Sequence, residues 1–170
     1  AIGKDAFEGC SKLKSITVPA SVTSMDIAVF ANCSELERVI LLCNLSKLPD
    51  STFAACKKLT DVTLPDTLVT IGSSAFNNCQ ALETIEIPDT VKTIENQAFQ
   101  NCKLLGEFTI PEGCETIGQS AFFGCESLTD INIPNSVTSI GYMAFDSCRN
   151  LKSITIPDSL TSIEEGAFFC

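Results

Sequence analysis

Ten cysteines and 21 acidic residues are the side chains of this 170-residue chain that could do chemistry. The chain has no histidine, which excludes Ser-His-Asp and Cys-His nucleophilic sites and metal sites built on histidine. Paired carboxylates could still hydrolyse a glycosidic bond. A carboxylate-based glycan-acting enzyme therefore stays one alternative, although the acids fall at positions that we expect to face solvent.

Seven of the cysteines recur at a fixed spacing of 23 residues. They are Cys10, Cys33, Cys56, Cys79, Cys102, Cys125 and Cys148. Zinc needs ligands that converge from different directions, whereas equivalent residues of successive coils lie side by side. Their Cβ atoms should also stand further apart than the ~3.8 Å that a disulfide prefers. We therefore predict a ladder of buried, free thiols, with no metal and no cofactor.

The other three cysteines lie outside this ladder. Cys114 stands where other units carry an aliphatic residue, and we predict that it is buried. Cys43 takes the place of acids such as Asp66 and Asp89, which predicts an exposed position and the most reactive thiol of the chain. Cys170 comes one position early for the ladder, and the sequence gives it no role.

The same period of 23 residues governs the apolar positions, which are the elements that must position these side chains. Phe recurs from Phe7 to Phe168, and Leu from Leu13 to Leu151, in unbroken steps of 23. The consensus is C-x-x-L-x-x-I-x-I-P-x-x-V-x-x-I-x-x-x-A-F-x-x. We divide the single solenoid, residues 1–170, into a partial first coil, residues 1–9, and seven units that begin at the seven ladder cysteines.

Each unit is predicted to contain a strand, a bend and a short helical turn. In the unit 79–101, Ile85 and Ile87 alternate with polar neighbours, as in a strand with one buried face. Pro88 ends that strand, because proline cannot donate to a ladder. The apolar offsets across residues 94–99 are those of a helical or 3-10 turn. Gly or Asn often precedes the ladder cysteine, which predicts a positive φ there.

The order L-x-x-I-x-I, as in residues 82–87 and 128–133, is followed by Pro, V-x-x-I and A-F-x-x-C. This pattern resembles the BspA-like leucine-rich repeats of bacterial and protist surface proteins over essentially the whole chain. The resemblance implies an α/β solenoid, a leucine-rich repeat arc with one parallel β-sheet on its concave side and short helical or 3-10 turns on its convex side. It also implies a cell-surface or extracellular location and a non-catalytic role in adhesion and protein binding.

The charge balance restricts the partners. The chain carries 11 Lys and Arg against 21 Asp and Glu, a net charge of −10. This field repels nucleic acids and anionic membrane surfaces. No apolar run approaches the ~20 residues of a membrane span. We expect a protein ligand, or a glycan, with no nucleic acid and no membrane insertion.

In the leucine-rich geometry the outward residues of the strands form the concave face, which is the candidate binding face. Its centre carries acids and no base, which favours a basic or polyhydroxyl partner, while an ordinary solvated face is the other interpretation. The strand of the Cys33 unit reads VILLC, which predicts an exposed apolar patch beside Cys43. The candidate residues are Arg38, Ile40, Leu42, Asp61, Thr63, Glu83, Glu86, Glu107, Thr109, Asp130 and Asn132.

Two further expectations concern the protein as a whole. A structural spacer, with recognition done elsewhere in the full protein, is the alternative to a binding module. The chain also starts and stops in repeat phase, without the polar-faced caps that finish a solenoid. We expect a fragment of a longer array whose open terminal coils favour end-to-end association.

Overall fold

The computed structural model describes residues 1–169, which form a parallel-strand β-solenoid whose strands lie in two rows. The first row, which we call the first sheet, has a three-stranded part with β1 (Ser15–Val18), β2 (Arg38–Leu41) and β4 (Asp61–Thr63), and a separate two-stranded part with β8 (Asp130–Asn132) and β10 (Ser153–Thr155). The second row, which we call the second sheet, is continuous and contains β3 (Lys47–Leu48), β5 (Thr70–Ile71), β6 (Thr93–Ile94), β7 (Thr116–Ile117) and β9 (Ser139–Ile140). Cys170 lies outside the described residues.

Paired strands of adjacent coils keep the register of the repeat. Ile16 pairs with Val39 in the first sheet, and Thr70 pairs with Thr93 in the second. Each step is one period of 23 residues, so every column of the consensus becomes a continuous row through the molecule. The predicted solenoid is confirmed.

The second sheet corrects the prediction of a single sheet. In the V-x-x-I segment the backbone also pairs between coils, and Glu95 donates its amide to the carbonyl of Ile71 at 2.9 Å. The β-branched pair Thr93–Ile94, half-buried and buried respectively, fits such an extended, one-sided environment. The segment between the strand and the turn therefore forms a short strand of its own.

The described residues contain no helix, so the predicted helical or 3-10 turns are wrong. Alternate amides in this region bond to different coils. Asn77 donates to Ser74 within its own coil (3.1 Å), whereas Asn78 donates to Gln100 of the next coil (2.8 Å). An α-helix needs every amide to bond four residues back in its own segment. Because the coils are stacked, alternate backbone amides of the turn donate to the neighbouring coil instead of to their own segment.

Two left-handed residues in each coil complete these turns. The column before the ladder cysteine has φ values from 59° at Asn101 to 70° at Gly124, as predicted. A second such column, which the sequence pattern did not predict, lies four residues earlier and includes Ser74 at φ 55° and Gln97 at φ 59°. A right-handed helix cannot pass through such residues, so the chain folds into successive tight turns instead.

Phenylalanine rings and thiols fill the interior of the coils. The rings from Phe7 to Phe168 stack with centroids 5.1–5.7 Å apart. The ladder thiols from Cys33 to Cys148 are buried, and Cys79, for example, donates its S–H to the carbonyl of Phe53 at 3.2 Å. Burial of the ladder is confirmed for these residues and for Cys114, whereas the first rung is exposed.

Candidate binding face

The candidate residues lie along the exposed side of the first sheet, which we call the strand face. Ten of the eleven are exposed, and Ile40 is half-buried. Sheet register places Arg38 beside Asp61 and Ile40 beside Thr63, and an isolated bridge aligns the positions of Thr84 and Glu107. The repeat therefore brings the predicted side chains into shared columns.

Few contacts tie down the charged groups of this face. Arg38 Nε lies 2.9 Å from the Asp61 carboxylate, in an exposed pair of the kind that adds little stability. Asp130 accepts a hydrogen bond from the Ser153 hydroxyl. Bonds from Ser153 and Thr129 lower the pKa of Asp130, so this carboxylate stays ionised near neutral pH.

The first sheet is open at its centre, beside β4. Thr60 and Asp61 both donate their amides to the carbonyl of Glu37 on one side, at 3.0 and 3.1 Å. On the other side, no backbone hydrogen bond joins residues 60–66 to residues 83–89 in the described chain. Strand β4 therefore has one unpaired edge in the middle of the solenoid, a position where such edges are normally covered.

A cavity of about 920 Å³ occupies this opening, and we call it the sheet groove. Residues 60–64 and 84–89 line it, together with Asp66 and Thr109. The coils stay closed on either side of it, because Thr70 pairs with Thr93 in the second sheet and the rings of Phe53 and Phe76 stack 5.3 Å apart. The opening is thus confined to the strand face.

The sheet groove is acidic. Four carboxylates line it, and no Lys or Arg is among its lining residues. Asp61 is paired with Arg38, but Asp66, Glu86 and Asp89 are exposed and make no side-chain hydrogen bond or ion pair within the described residues. Concave sites lined by one sign of charge focus the field and attract the opposite charge. The groove is therefore suited to a cationic ligand.

A second interruption of the first sheet lies between residues 106–110 and strand β8. Phe108 stands there in a column that otherwise holds Ile or Val. Its ring packs edge-on against Phe99 and Phe122, with centroids 5.0 and 4.7 Å away. An aromatic ring needs more room than an aliphatic side chain, and the strand segments here are unpaired although the two coils stay joined through β7 and β9. This departure from the consensus was a readable signal in the sequence.

Cys43 is buried, which corrects the prediction of an exposed, reactive thiol. In six units the carbonyl of the consensus proline accepts a hydrogen bond from the amide three residues on, as Pro65 does from Leu68 at 3.1 Å. In the Cys33 unit Leu42 replaces that proline, and the Leu42 amide instead donates to Val18 at 2.9 Å. The proline turn is lost, Leu42 points outward and is 53% exposed, and Cys43 turns inward.

Burial raises the pKa of the Cys43 thiol above its ordinary value, and it does the same at Cys33. Both thiols are therefore protonated and shielded near neutral pH. Of the described cysteines, Cys10 is the exposed one. The predicted apolar patch consequently consists of exposed Leu42 and half-buried Ile40, without a thiol beside them.

Thiol labelling tests this reassignment. We expect a bulky maleimide to modify Cys10 at least ~100-fold faster than Cys43 or Cys33, because a buried thiol reacts after local opening. Brief labelling followed by peptide mass spectrometry gives the rate at each site, and the denatured chain, in which all thiols are accessible, provides the reference. Equal rates at Cys43 and Cys10 would show that the proline turn is not lost as described.

Pro49 opens the second sheet in the same unit. Equivalent residues of other coils donate an amide to the preceding coil, as Gly72 does to Leu48 at 2.9 Å, but proline has no amide hydrogen. A cavity of about 430 Å³, lined by Met25, Ile27 and Leu45 among others, lies at this break. The Cys33 unit therefore differs from the consensus at both of its strands.

The described residues contain no group of three or more His, Cys, Asp or Glu side chains placed to hold a metal ion. They also include no helix with the length and apolar character that crossing a membrane requires.

The stacked 23-residue coils with a parallel strand face define a leucine-rich repeat solenoid. The family model of the BspA type leucine rich repeat region matches the chain in six copies, over residues 1–106 and 98–170. The chain belongs to this family. It matched none of the curated proteins with which it was compared.

Solved structures of bacterial leucine-rich repeat proteins share the fold. A protein from Bacteroides ovatus superposes with a TM-score of 0.87 at 32% identity, over 94% of this chain and 42% of that one. The T. pallidum leucine rich repeat protein gives 0.82 at 27% identity, over 86% and 72%. A leucine rich cell surface protein from Faecalibacterium prausnitzii gives 0.64 at 30% identity, over 83% and 47%. These relatives suggest a repeat-based protein-interaction module.

Proposed function

We propose that this chain is a non-catalytic protein-binding or adhesion module of a surface or secreted protein, and that it contacts its ligand through the strand face. The observation that carries the proposal is the acidic sheet groove at the centre of that face, where three of the four carboxylates have no side-chain partner within the described residues. The name of the Faecalibacterium relative, a cell surface protein, supports the location.

Binding accounts for the exposed carboxylates better than hydrolysis does. Glycoside hydrolysis usually needs a general acid that its surroundings keep protonated, in addition to a second carboxylate. Glu83, Glu86 and Glu107 are all exposed on the strand face, and none lies in the apolar enclosure that such an acid needs. The same groups are well placed to meet Lys or Arg side chains of a partner.

A selection experiment separates this function from that of a spacer. Random peptides displayed on phage are selected on the immobilised protein, and we expect the enriched peptides to be rich in Lys and Arg. The variant Glu86→Lys/Glu107→Lys, which reverses two charges of the strand face, should lose these peptides because attraction becomes repulsion.

The matched control reverses two exposed charges away from the strand face, in the variant Glu164→Lys/Glu165→Lys. It should retain the selected peptides. A failure to enrich any peptide, or an equal loss in both variants, would contradict the binding proposal, and the first of these results would favour the spacer.

A further inference from the structure

We propose that the sheet groove binds an extended basic segment of a partner protein, which pairs with the open edge of β4 as an added strand. The inference rests on the proposed binding function and names the chemistry of the ligand. Unpaired backbone groups supply the affinity in strand addition, and side-chain positions supply the specificity. This groove has both unpaired backbone groups and side chains that could select a ligand.

The backbone part is the free edge of β4, residues Asp61–Thr63. Its other edge is used by β2, with Arg38 opposite Asp61 and Val39 opposite Val62. An added strand can therefore bond to one side of β4 and no other. Because β4 has three residues, the paired part of the ligand is a short extended stretch.

The charge part is the set of carboxylates around the opening. Asp66 and Asp89 follow Pro65 and Pro88 at one end of the groove, and Glu86 lies between them along the chain. All three are exposed and without ion pairs in the described residues. Side chains of a strand alternate between its two faces, so a ligand with a base at every second position can present Lys or Arg to them.

The hydroxyl groups of the groove are consistent with a polar, solvated ligand backbone. Thr63, Thr84 and Thr109 are exposed and make no side-chain hydrogen bond within the described residues. Hydroxyls can donate and accept, so they can bond to amides and carbonyls of the ligand that β4 does not reach. A volume of about 920 Å³ lies within the range of known ligand cavities, roughly 300–1,000 Å³.

The probe is an eight-residue peptide of alternating Thr and Lys with a fluorescent label, and its affinity is measured by polarisation on residues 1–170. We expect saturable binding that weakens as salt is raised, since the contacts are screened ion pairs. The acidic counterpart, with Glu for each Lys, should not bind. The variant Asp66→Lys/Asp89→Lys should weaken binding at least tenfold, and the control Glu164→Lys/Glu165→Lys should change it less than twofold.

Backbone pairing is tested with two N-methylated forms of the probe, one methylated at every Thr and the other at every Lys. Alternate amides of an added strand face opposite sides, so one form should lose at least tenfold in affinity and the other should bind nearly as well as the parent. Equal affinities would overturn the strand-addition inference, because charge alone would then explain binding.

The failure of this inference is distinguishable from the failure of the proposed function. One outcome is that the phage-selected peptides depend on Glu86 and Glu107, but the Thr-Lys probe binds the Asp66→Lys/Asp89→Lys variant as tightly as the wild type. The strand face then binds ligand, and the groove inference is wrong. Binding of neutral glycans in place of basic peptides would also overturn it. Loss of all selected binders would instead remove the proposed function itself.

Discussion

The substitution Phe99→Ala is expected to lower the free energy of unfolding by about 3–5 kcal/mol, the cost of removing a buried aromatic ring. Phe99 is fully buried. Its ring stacks on Phe76 and Phe122 at 5.1 and 5.4 Å and meets the edge of Phe108 at 5.0 Å. The substitution would leave a cavity in the middle of the phenylalanine stack, and the coils on either side would keep that cavity from closing.

Urea denaturation of the wild type and the variant measures this effect, and Glu112→Ala, at an exposed position of the next coil, is the matched control. Because stability in a solenoid is shared between neighbouring repeats, hydrogen exchange should accelerate in the adjacent coils as well. A loss no larger than that of Glu112→Ala would contradict the assignment of the phenylalanine ladder to the core.

Alkaline pH is expected to unfold the protein steeply, starting near pH 9. Burial raises the pKa of Cys56 from about 9.0 to about 12 and that of Cys114 to about 11. The pKa values of Cys79, Cys102 and Cys125 are also raised by burial. These thiols keep their protons in the folded state at a pH where the unfolded chain releases them.

The sign of the effect follows from linkage. Stability is complete below pH 9 and falls as the pH rises toward the folded-state pKa values, because the unfolded state then binds fewer protons. Each such thiol lowers the free energy of unfolding by about 1.4 kcal/mol for every pH unit in this range. The combined loss from several such thiols exceeds the total free energy of unfolding of a typical domain, about 5–15 kcal/mol, within a few pH units.

Circular dichroism between pH 8 and pH 12 follows the unfolding transition. Urea denaturation at pH 8.5, 9.5 and 10 gives the change in the free energy of unfolding per pH unit. The variant Cys102→Ala has one titrating ladder thiol fewer, so its stability should fall less steeply, by about 1.4 kcal/mol per pH unit. A stability that is constant from pH 8 to pH 10 would contradict the buried, protonated ladder.

The period of the sequence was enough to predict the core. Identical spacing forces each coil to repeat the same contacts, so Phe99 and the phenylalanines of its column had to meet as a stack. The left-handed column before each ladder cysteine was also predictable, because Gly124 and Asn101 are residues that tolerate positive φ. Both predictions depend on local residue types repeated in phase.

The turns were not predictable from the same pattern. Ala98 and Phe99 have offsets that a helix would share, and the second left-handed column includes Gln97, a residue with no preference for positive φ. What decides the conformation is the bonding of alternate amides to the next coil. That contact exists in the stacked array and has no counterpart in a single unit.

Changes in the positions of proline explain why the prediction for Cys43, in the Cys33 unit, was wrong. The loss of proline at Leu42 and its gain at Pro49 were visible in the sequence, but their combined effect on Cys43 depends on which amide finds a partner. The sheet groove has no such signal. Val62 and Ile85, the inward residues on its two sides, both follow the consensus.

Ligand is proposed to bind at the strand face, through the sheet groove. Hydrogen–deuterium exchange of the protein with and without a phage-selected basic peptide tests it most directly. We predict slower exchange of the amides in residues 60–66 and 83–89 on binding, and unchanged exchange in the second-sheet strands β5, β6 and β7. Protection confined to the second sheet or to the turns, with residues 60–66 and 83–89 unaffected, would contradict the account.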